Sequence, residues 1–263
     1  MHAHYLAPLY KEALQEAEMW LIGGIPVPEW TPELALEFMD AHGIAVQMLS
    51  VSDPGVEFVD GERAPALTRE CNDYVAGVIG DHPGRFGAFA VLAMSDVQGA
   101  RVEALRCLDE LSLDGVALLS SYDGLYLGDP HFEPLLSGGT LPMLRARLAA
   151  ASAGAKDFGA LIGMPAGCAL LTADSAHTSL AGSLYDTALI ADPPALRAVA
   201  GVADPGHLLF GSDWPFAARM YASEGDPQPA LGEVFSGDQL RAVERAGALA
   251  QFGHLANHSG LQR

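Results

Sequence analysis

Two short motifs, one at each end of the chain, carry side chains that could bind a metal ion. His2 and His4 are separated by one residue, so on a β-strand both imidazoles point to the same face. Asp213 follows the apolar run at 207–211, which predicts a buried strand that ends by delivering a carboxylate to a turn. In parallel α/β proteins, functional groups lie just beyond the carboxyl ends of the strands. We therefore predict that His2, His4 and Asp213 share one metal ion and that Asp213 is catalytic.

The elements that position these motifs alternate between apolar strands and amphipathic helices. Short connections between them are typical of a parallel sheet, which right-handed crossovers wind into a barrel or a doubly wound sheet. The predicted strands lie at 2–6, 44–51, 86–92, 115–119, 184–189 and 207–211. The predicted helices lie at 8–20, 32–42 with Thr31 as N-cap, 64–79, 97–111, 132–136, 140–151, 194–202 and 237–252. The segment at about 152–182 shows no confident periodicity and is predicted to be irregular.

Size and composition narrow the possible partners. The 263 residues suit one domain, and we predict a single domain over 1–263. A formal net charge of −19 repels phosphate backbones and anionic lipid surfaces, so neither nucleic acid nor a membrane is an expected partner. The chain lacks an uninterrupted apolar run of the ~20 residues that span a bilayer. Three cysteines without C-x-x-C spacing, and no basic-then-apolar start, predict a cytoplasmic protein with buried, inert thiols.

Seven runs of residues, in order along most of the chain, match one known family. They are 2–6 (HAHYL), 49–56 (LSVSDPGV), 82–86 (HPGRF), 126–130 (YLGDP), 138–142 (GGTLP), 184–188 (LYDTA) and 209–215 (LFGSDWP). With these runs the chain resembles the amidohydrolase-related family that contains aminocarboxymuconate semialdehyde decarboxylase, 6-methylsalicylate decarboxylase and γ-resorcylate decarboxylase. The resemblance implies a metal-dependent TIM-type (β/α)8 barrel and, as is frequent for the family's decarboxylases, a homodimer.

The resemblance also implies roles for the residues of the two motifs. His2 and His4 correspond to the metal ligands of the first strand, and Asp213 corresponds to the carboxylate of the last strand. The implied cofactor is a divalent metal, with zinc expected first and manganese second. The implied reaction is decarboxylation of a small aromatic or unsaturated carboxylic acid, in which Asp213 helps to protonate the carbon that loses CO2. Tyr5 and Trp214 are candidates for lining an aromatic-acid pocket.

Two alternatives to a decarboxylase stay open. In a hydrolase of the same superfamily, Asp213 would act as the base toward metal-bound water. The second alternative is a non-catalytic barrel remnant with a binding role, and it follows from a departure of this sequence from the family. The family carries two further histidines, one in a His-Pro pair after the fifth strand and one directly before the Gly-Gly at 138–139, and this chain has neither.

The missing histidines belong to a larger gap in the sequence. The chain passes from the helix after the fourth strand to the helix after the sixth, so two β/α units, or about 60 residues at ~31 residues per unit, are absent. We therefore expect an incomplete barrel of about six strands. Five other histidines could in principle replace the two missing family ligands, but we do not expect them to bind metal. They are His131, His177, His207, His254 and His258.

Overall fold

The computed structural model describes residues 2–127, 129–132, 135, 184–188, 192–201, 203, 206–221 and 225–252. The predicted helix at 140–151 and the predicted irregular segment at 152–182 lie outside these residues. The assignment of 1–263 to a single domain therefore stays a prediction.

The six predicted strands are all present, and they pair in parallel. The last of them is divided into two pieces. The strands are β1 (His2–His4), β2 (Gln47–Ser50), β3 (Phe86–Ala90), β4 (Gly115–Val116), β5 (Tyr185–Asp186), β6 (Leu208–Leu209) and β7 (Gly211–Trp214). The predicted class, a parallel α/β fold, is confirmed.

The order of pairing brings the two ends of the chain together. One sheet has the order β7-β1-β2-β3-β4, so the first strand lies between the last strand and the second. β5 pairs with β6, and β6 is separated from β7 by Phe210 alone. Among the described residues, no pairing joins β4 to β5, so the closure of the ring on that side is not part of the described sheet.

The division of the last strand differs from the prediction of one strand at 207–211 followed by a turn. The backbone N–H of Phe210 donates to the carbonyl of Val243, 2.9 Å away. The chain therefore leaves the sheet for one residue. The chain then returns to the sheet as β7, and Asp213 lies inside this strand.

Helices follow the strands as the alternating pattern predicted. They are α1 (Pro8–Glu16), α2 (Pro32–Ala41), α3 (Arg63–Asp81), α4 (Val97–Asp109), α5 (Pro193–Ala200), α6 (Ala230–Val234), α7 (Gly237–Arg241) and α8 (Gly247–Gln251). A π-helical turn, Ala242–Ala246, joins α7 to α8. The predicted cap of α2 is confirmed, because the N–H of Leu34 donates to the Thr31 hydroxyl at 3.2 Å. The helix predicted at 8–20 ends earlier, at Glu16.

Two short antiparallel hairpins occupy segments for which no strand was predicted. Leu21–Ile22 pairs with Ile25–Pro26, and Ser121–Tyr122 pairs with Leu125–Tyr126. Both turns contain glycines with positive φ, Gly24 at 80° and Gly124 at 77°, a conformation that glycine adopts without steric strain. Unlike the two-residue strands β4, β5 and β6, these hairpin strands do not lie within longer runs that were predicted as strands.

The main core lies between the sheet and the helices. Fully buried side chains from the strands, such as Leu49 and Ala88, pack in one cluster with side chains from α1, α2 and α3. Cys71 and Cys107 belong to this core, and burial raises the pKa of each thiol to about 12. The prediction of buried thiols is confirmed for these two residues, while Cys168 lies outside the described residues. None of the described helices is long and apolar enough to cross a membrane.

Truncation of a core side chain in β2 should destabilise the protein much more than truncation of an exposed leucine. Leu49 has no exposed surface, so Leu49→Ala should lower the free energy of unfolding by about 2–5 kcal/mol. Leu21 is 55% exposed, and Leu21→Ala should change it by less than about 0.5 kcal/mol. Urea denaturation of both variants measures the difference, and equal losses would contradict the described packing.

Candidate metal centre

The side chains of His2, His4 and Asp213 meet where β1 pairs with β7. The two Nε2 atoms are 3.1 Å apart, and the Asp213 Oδ1 atom lies 3.1 Å from the Nε2 of His4 and 3.7 Å from the Nε2 of His2. Each residue offers one ligand atom, and the three atoms all lie within 4.8 Å of one another. Among the described residues, this is the only group of three or more His, Cys, Asp or Glu side chains with such spacing.

A bulge in β7 turns the carboxylate of Asp213 toward the histidines. His2 pairs with Gly211, but the next residue of β1 pairs with Trp214, so Ser212 and Asp213 are extra residues on β7. Asp213 has a φ of 52°, in the left-handed region that a non-glycine residue rarely adopts. The Ser212 hydroxyl donates to the carbonyl of His2 at 3.1 Å and thereby holds the bulge against β1.

The ring of His4 is fixed by an acceptor on its other nitrogen. Its Nδ1 lies 3.2 Å from the backbone carbonyl of Ser50, on the neighbouring strand β2, and a carbonyl oxygen only accepts hydrogen bonds. The Ser50 hydroxyl lies at the same distance, 3.2 Å, from this nitrogen, so Ser50 holds the ring and orients the Nε2 toward Asp213. The edge of the Phe216 ring also packs against the ring of His4, with the centroids 5.4 Å apart.

The electrostatics of the site favour an ionised Asp213. Burial raises the pKa of this carboxyl, but the imidazoles of His2, at 3.7 Å, and His4, at 3.1 Å, together lower it by more, and the resulting pKa is about 2. Asp213 is therefore a carboxylate at neutral pH. Two imidazoles and one carboxylate are ligand types that zinc accepts in catalytic sites.

A buried polar clamp supports β7 from the side of β5. The Thr187 hydroxyl donates to the Gln228 Oε1 at 2.6 Å, and the Gln228 Nε2 donates to the carbonyls of Thr187 at 3.2 Å and Gly211 at 2.8 Å. The N–H of Gly211 in turn donates to the Thr187 hydroxyl at 3.1 Å. The clamp thus fixes the residue at which β7 begins, two residues before Asp213.

Tyr5 lies in the core and not in the site. Its side chain is 1% exposed, and its hydroxyl donates to the backbone carbonyl of Cys71 in α3 at 3.2 Å. Side chains alternate along a strand, so the residue directly after His4 points to the opposite face, toward the helices. This position argues against the predicted role of Tyr5 in substrate binding.

Trp214 also packs toward a helix, but it borders a cavity. Its ring stacks on Phe38 of α2, with the centroids 5.6 Å apart. Together with Phe216, which contacts His4, it lines a cavity of about 650 Å³ between α2 and the segment that follows β7. Trp214 is therefore kept as a candidate for substrate binding.

The other histidines do not join the group in the described part of the chain. His131 is exposed in a short 3₁₀ turn, and His207 precedes β6 at its amino end. His177, His254 and His258 lie outside the described residues.

The sequence analysis missed one polar residue beside the site. Asp186 ends β5, and its Oδ2 lies 3.7 Å from the Nδ1 of His2. The rule that selected Asp213, a carboxylate at the carboxyl end of a strand, also applies to Asp186 in the predicted strand 184–189, and it could have singled out this residue.

A parallel α/β sheet with two histidines on its first strand and an aspartate on its last is typical of the barrels of metal-dependent hydrolases. A family model described as Amidohydrolase matches residues 1–143 of the chain. Because this match takes in more than half of the 263 residues, the chain belongs to the amidohydrolase family.

Two fungal enzymes illustrate the sequence similarity. Decarboxylase yanB of Aspergillus niger is 35% identical over 145 residues, which are 51% of this chain and 38% of that protein. The 6-methylsalicylic acid decarboxylase acuB of Aspergillus aculeatus is 29% identical over 292 residues, covering 83% of this chain and 84% of that protein. The chain therefore matches about two fifths of the length of the first relative and most of the second.

The second comparison also supports the predicted internal gap. A share of 83% corresponds to about 218 residues of this chain, so about 74 of the 292 aligned positions have no counterpart here. This number is close to the about 60 residues of the two β/α units that are predicted to be absent, and the position of the gap stays a prediction.

A solved structure confirms the fold. The crystal structure of 5-carboxyvanillate decarboxylase from Novosphingobium aromaticivorans, in complex with manganese and 4-hydroxy-3-methoxy-5-nitrobenzoic acid, is similar with a TM-score of 0.73 at 16% identity. The similarity covers 96% of this chain and 94% of that chain. At this level of identity the likeness concerns the fold, and the predicted α/β fold of the amidohydrolase barrel type is confirmed.

Loss of the clamp should weaken the structure around β7. Gln228→Ala removes the acceptor of the Thr187 O–H and the side-chain donor to the carbonyl of Gly211 in a buried environment, which should lower the free energy of unfolding by about 1–3 kcal/mol. Gln239 is exposed, and Gln239→Ala serves as the matched control, with a change under about 0.5 kcal/mol. Equal denaturation midpoints for the two variants would contradict the role of the clamp.

Proposed function

We propose that this protein is a metal-dependent decarboxylase that acts on a small aromatic carboxylic acid. One observation carries the proposal: in a chain of the amidohydrolase family, two imidazoles and one carboxylate from opposite ends of the sequence converge within 4.8 Å. The relatives yanB and acuB are decarboxylases by name, and the name of acuB gives an aromatic acid as its substrate.

The residues of the site fit a divalent cation. Ser50 holds the Nδ1 of His4 through its carbonyl and its hydroxyl, both at 3.2 Å, and the Nε2 of His4 faces the carboxylate of Asp213. The two Nε2 atoms and the Asp213 oxygen already lie within 4.8 Å of one another. Imidazole nitrogen and carboxylate oxygen are ligand atoms that divalent zinc accepts. We propose His2, His4 and Asp213 as the ligands.

The chain's own residues supply orientation and proton transfer. A bound divalent cation supplies positive charge that stabilises negative charge developing on a substrate oxygen. In the reaction, the bond between the ring carbon and the carboxyl carbon breaks, CO2 leaves, and the ring carbon gains a proton. We assign this proton transfer to Asp213, whose carboxylate is ionised at rest. It takes a proton from solvent water and donates it to the ring carbon, where the electron pair of the broken C–C bond forms the new C–H bond, and the carboxylate is regenerated.

The names of the matched relatives favour decarboxylation over hydrolysis. Three protein ligands are sufficient for a catalytic metal, so the lack of the two further family histidines does not by itself require a remnant without activity. Zinc or manganese is the proposed metal, and manganese is the ion in the 5-carboxyvanillate decarboxylase structure. A cytoplasmic location and a homodimer stay predictions.

Removal of either histidine should abolish stoichiometric metal binding. The protein is purified without a histidine tag or any extension before Met1, because His2 is the second residue, and is dialysed against zinc or manganese. Elemental analysis should find about one ion per wild-type chain. His2→Ala and His4→Ala should each lose most of it, whereas His131→Ala, which removes an exposed imidazole, should retain it. A folded wild-type protein that binds no metal would support the remnant instead.

Replacement of Asp213 should remove decarboxylation while the fold persists. Asp213→Asn keeps the size of the side chain but loses its charge and its capacity to carry a proton, so kcat should fall by about 10²–10⁴-fold. CO2 release is measured with 6-methylsalicylate, 2,6-dihydroxybenzoate and 5-carboxyvanillate, and circular dichroism follows the fold. Asp60→Asn, at an exposed position, should keep full activity. Equal activity of both variants would contradict the assignment of Asp213.

A further inference from the structure

Asp186 reaches the candidate metal centre from a strand that contributes none of the three proposed ligands. Its Oδ2 lies 3.7 Å from the Nδ1 of His2, which is the ring nitrogen that faces away from His4 and Asp213. Its Oδ1 accepts a hydrogen bond from the N–H of Ala188 at 2.8 Å. The carboxylate is therefore already held by one oxygen, and the other oxygen is directed at His2.

The approach of Asp186 to His2 depends on a glycine between them. A Cβ atom on Gly211 would lie 3.0 Å from the Asp186 Oδ1, 3.1 Å from the Cβ of His2 and 3.2 Å from the Cβ of Ala188. Gly211 does not have a positive φ, so its backbone conformation does not require glycine. The absence of a side chain at this position instead provides the space in which β5 and β1 come close.

We propose that Asp186 is a positioning residue that orients His2 by accepting a hydrogen bond from its Nδ1. This inference rests on the proposed function. The present distance of 3.7 Å is that of an ion pair, and a shift of about 0.5 Å gives a direct hydrogen bond. A proton held on the Nδ1 leaves the Nε2 with a free lone pair that points to the cation.

The proposal gives both histidines the same arrangement. The Nδ1 of His4 lies 3.2 Å from the carbonyl of Ser50 on β2, and the Nδ1 of His2 faces Asp186 on β5. Each ring is thereby braced by an acceptor on an adjacent element, and the two Nε2 atoms converge to 3.1 Å. A negatively charged acceptor also makes the ring of His2 a stronger electron donor. The electron-donating strength of each histidine matters more in a site with three protein ligands than in a site that also has the two further family histidines.

An asparagine at this position separates the proposed role from a role in the local turn. In Asp186→Asn the amide oxygen can still accept from the N–H of Ala188, but the NH2 group then faces the Nδ1–H of His2, and two donors repel each other. A merely structural Asp186 tolerates this change, because the bond to Ala188 persists. A positioning Asp186 does not tolerate it.

The test measures metal affinity and ligand geometry apart from activity. Apo-protein is titrated with Co²⁺ against a chelator of known affinity, and the visible absorption of the bound cobalt is recorded. Asp186→Asn should weaken cobalt binding by about 10- to 100-fold and alter the absorption spectrum. Asp192→Ala, an exposed carboxylate six positions along the same segment, is the control and should change neither.

The outcomes distinguish the two proposals. If wild type binds cobalt and Asp186→Asn binds it with the same affinity and spectrum, the role of Asp186 is overturned while the proposed metal centre stands. If wild type binds no cobalt at the site of His2, both proposals are overturned.

A second pair of variants tests the role of the gap at Gly211. Gly211→Ala should weaken cobalt binding in the wild-type background, because its Cβ pushes Asp186 and His2 apart. The same change should have a smaller effect in an Asp186→Ala background, where the oxygen at 3.0 Å is gone. Equal effects in both backgrounds would overturn the inference, and thermal melting monitored by circular dichroism verifies that each variant folds.

Discussion

Parallel pairing between β1 and β7 is the interaction on which the rest of the structure depends. It joins His4 and Asp213, which are 209 residues apart in sequence, at 3.1 Å. The entropy lost on closing a loop grows only slowly with the length of the loop. A connection of this length therefore loses little more entropy than a short one. The bulge that places Asp213 lies in this pairing, while contacts with β2 and β5 orient His4 and bring Asp186 close to His2. Because the three residues meet only in the folded chain, a metal ion that binds them binds the folded state and not the unfolded state, and so stabilises the fold.

The conformation of Asp213 is the strained part of this arrangement. A non-glycine residue in the left-handed region costs about 1–3 kcal/mol and persists only where its surroundings determine it. Here, hydrogen bonds on both sides of Asp213 hold its backbone in this conformation. Ser212 donates to β1, and Tyr221 donates to the carbonyl of Ser212, while Gln228 fixes the start of the strand. Residues that touch no ligand thus decide where the carboxylate lies.

The sequence predicted the strands, the N-cap at Thr31 and the three candidate metal ligands, because each of these depends on a local pattern of residues. The remaining features depend on tertiary contacts. Phe210 leaves the sheet because Val243 offers an acceptor, and no periodicity reveals this. The position of Asp186 beside His2 depends on the lateral order of strands, which a single sequence does not give. The prediction for Tyr5 has a different weakness, since the alternation that pairs His2 with His4 already directs Tyr5 to the opposite face.

The charge of the ligand set explains why three protein ligands to the metal suit the proposed decarboxylation of an anionic substrate. The protein has a formal net charge of −19, which repels a carboxylate substrate at long range. Two neutral imidazoles and one carboxylate contribute a charge of about −1, so a divalent cation leaves its own ligand set at about +1. The Asp186 carboxylate beside His2 lowers the charge of the wider centre. A substrate anion is then attracted only within the centre itself. Additional carboxylate ligands would cancel this local charge, whereas positions left open by absent histidines can take substrate oxygens. On this argument, the loss of two family histidines lowers the number of protein ligands without reversing the sign of the charge that meets the substrate.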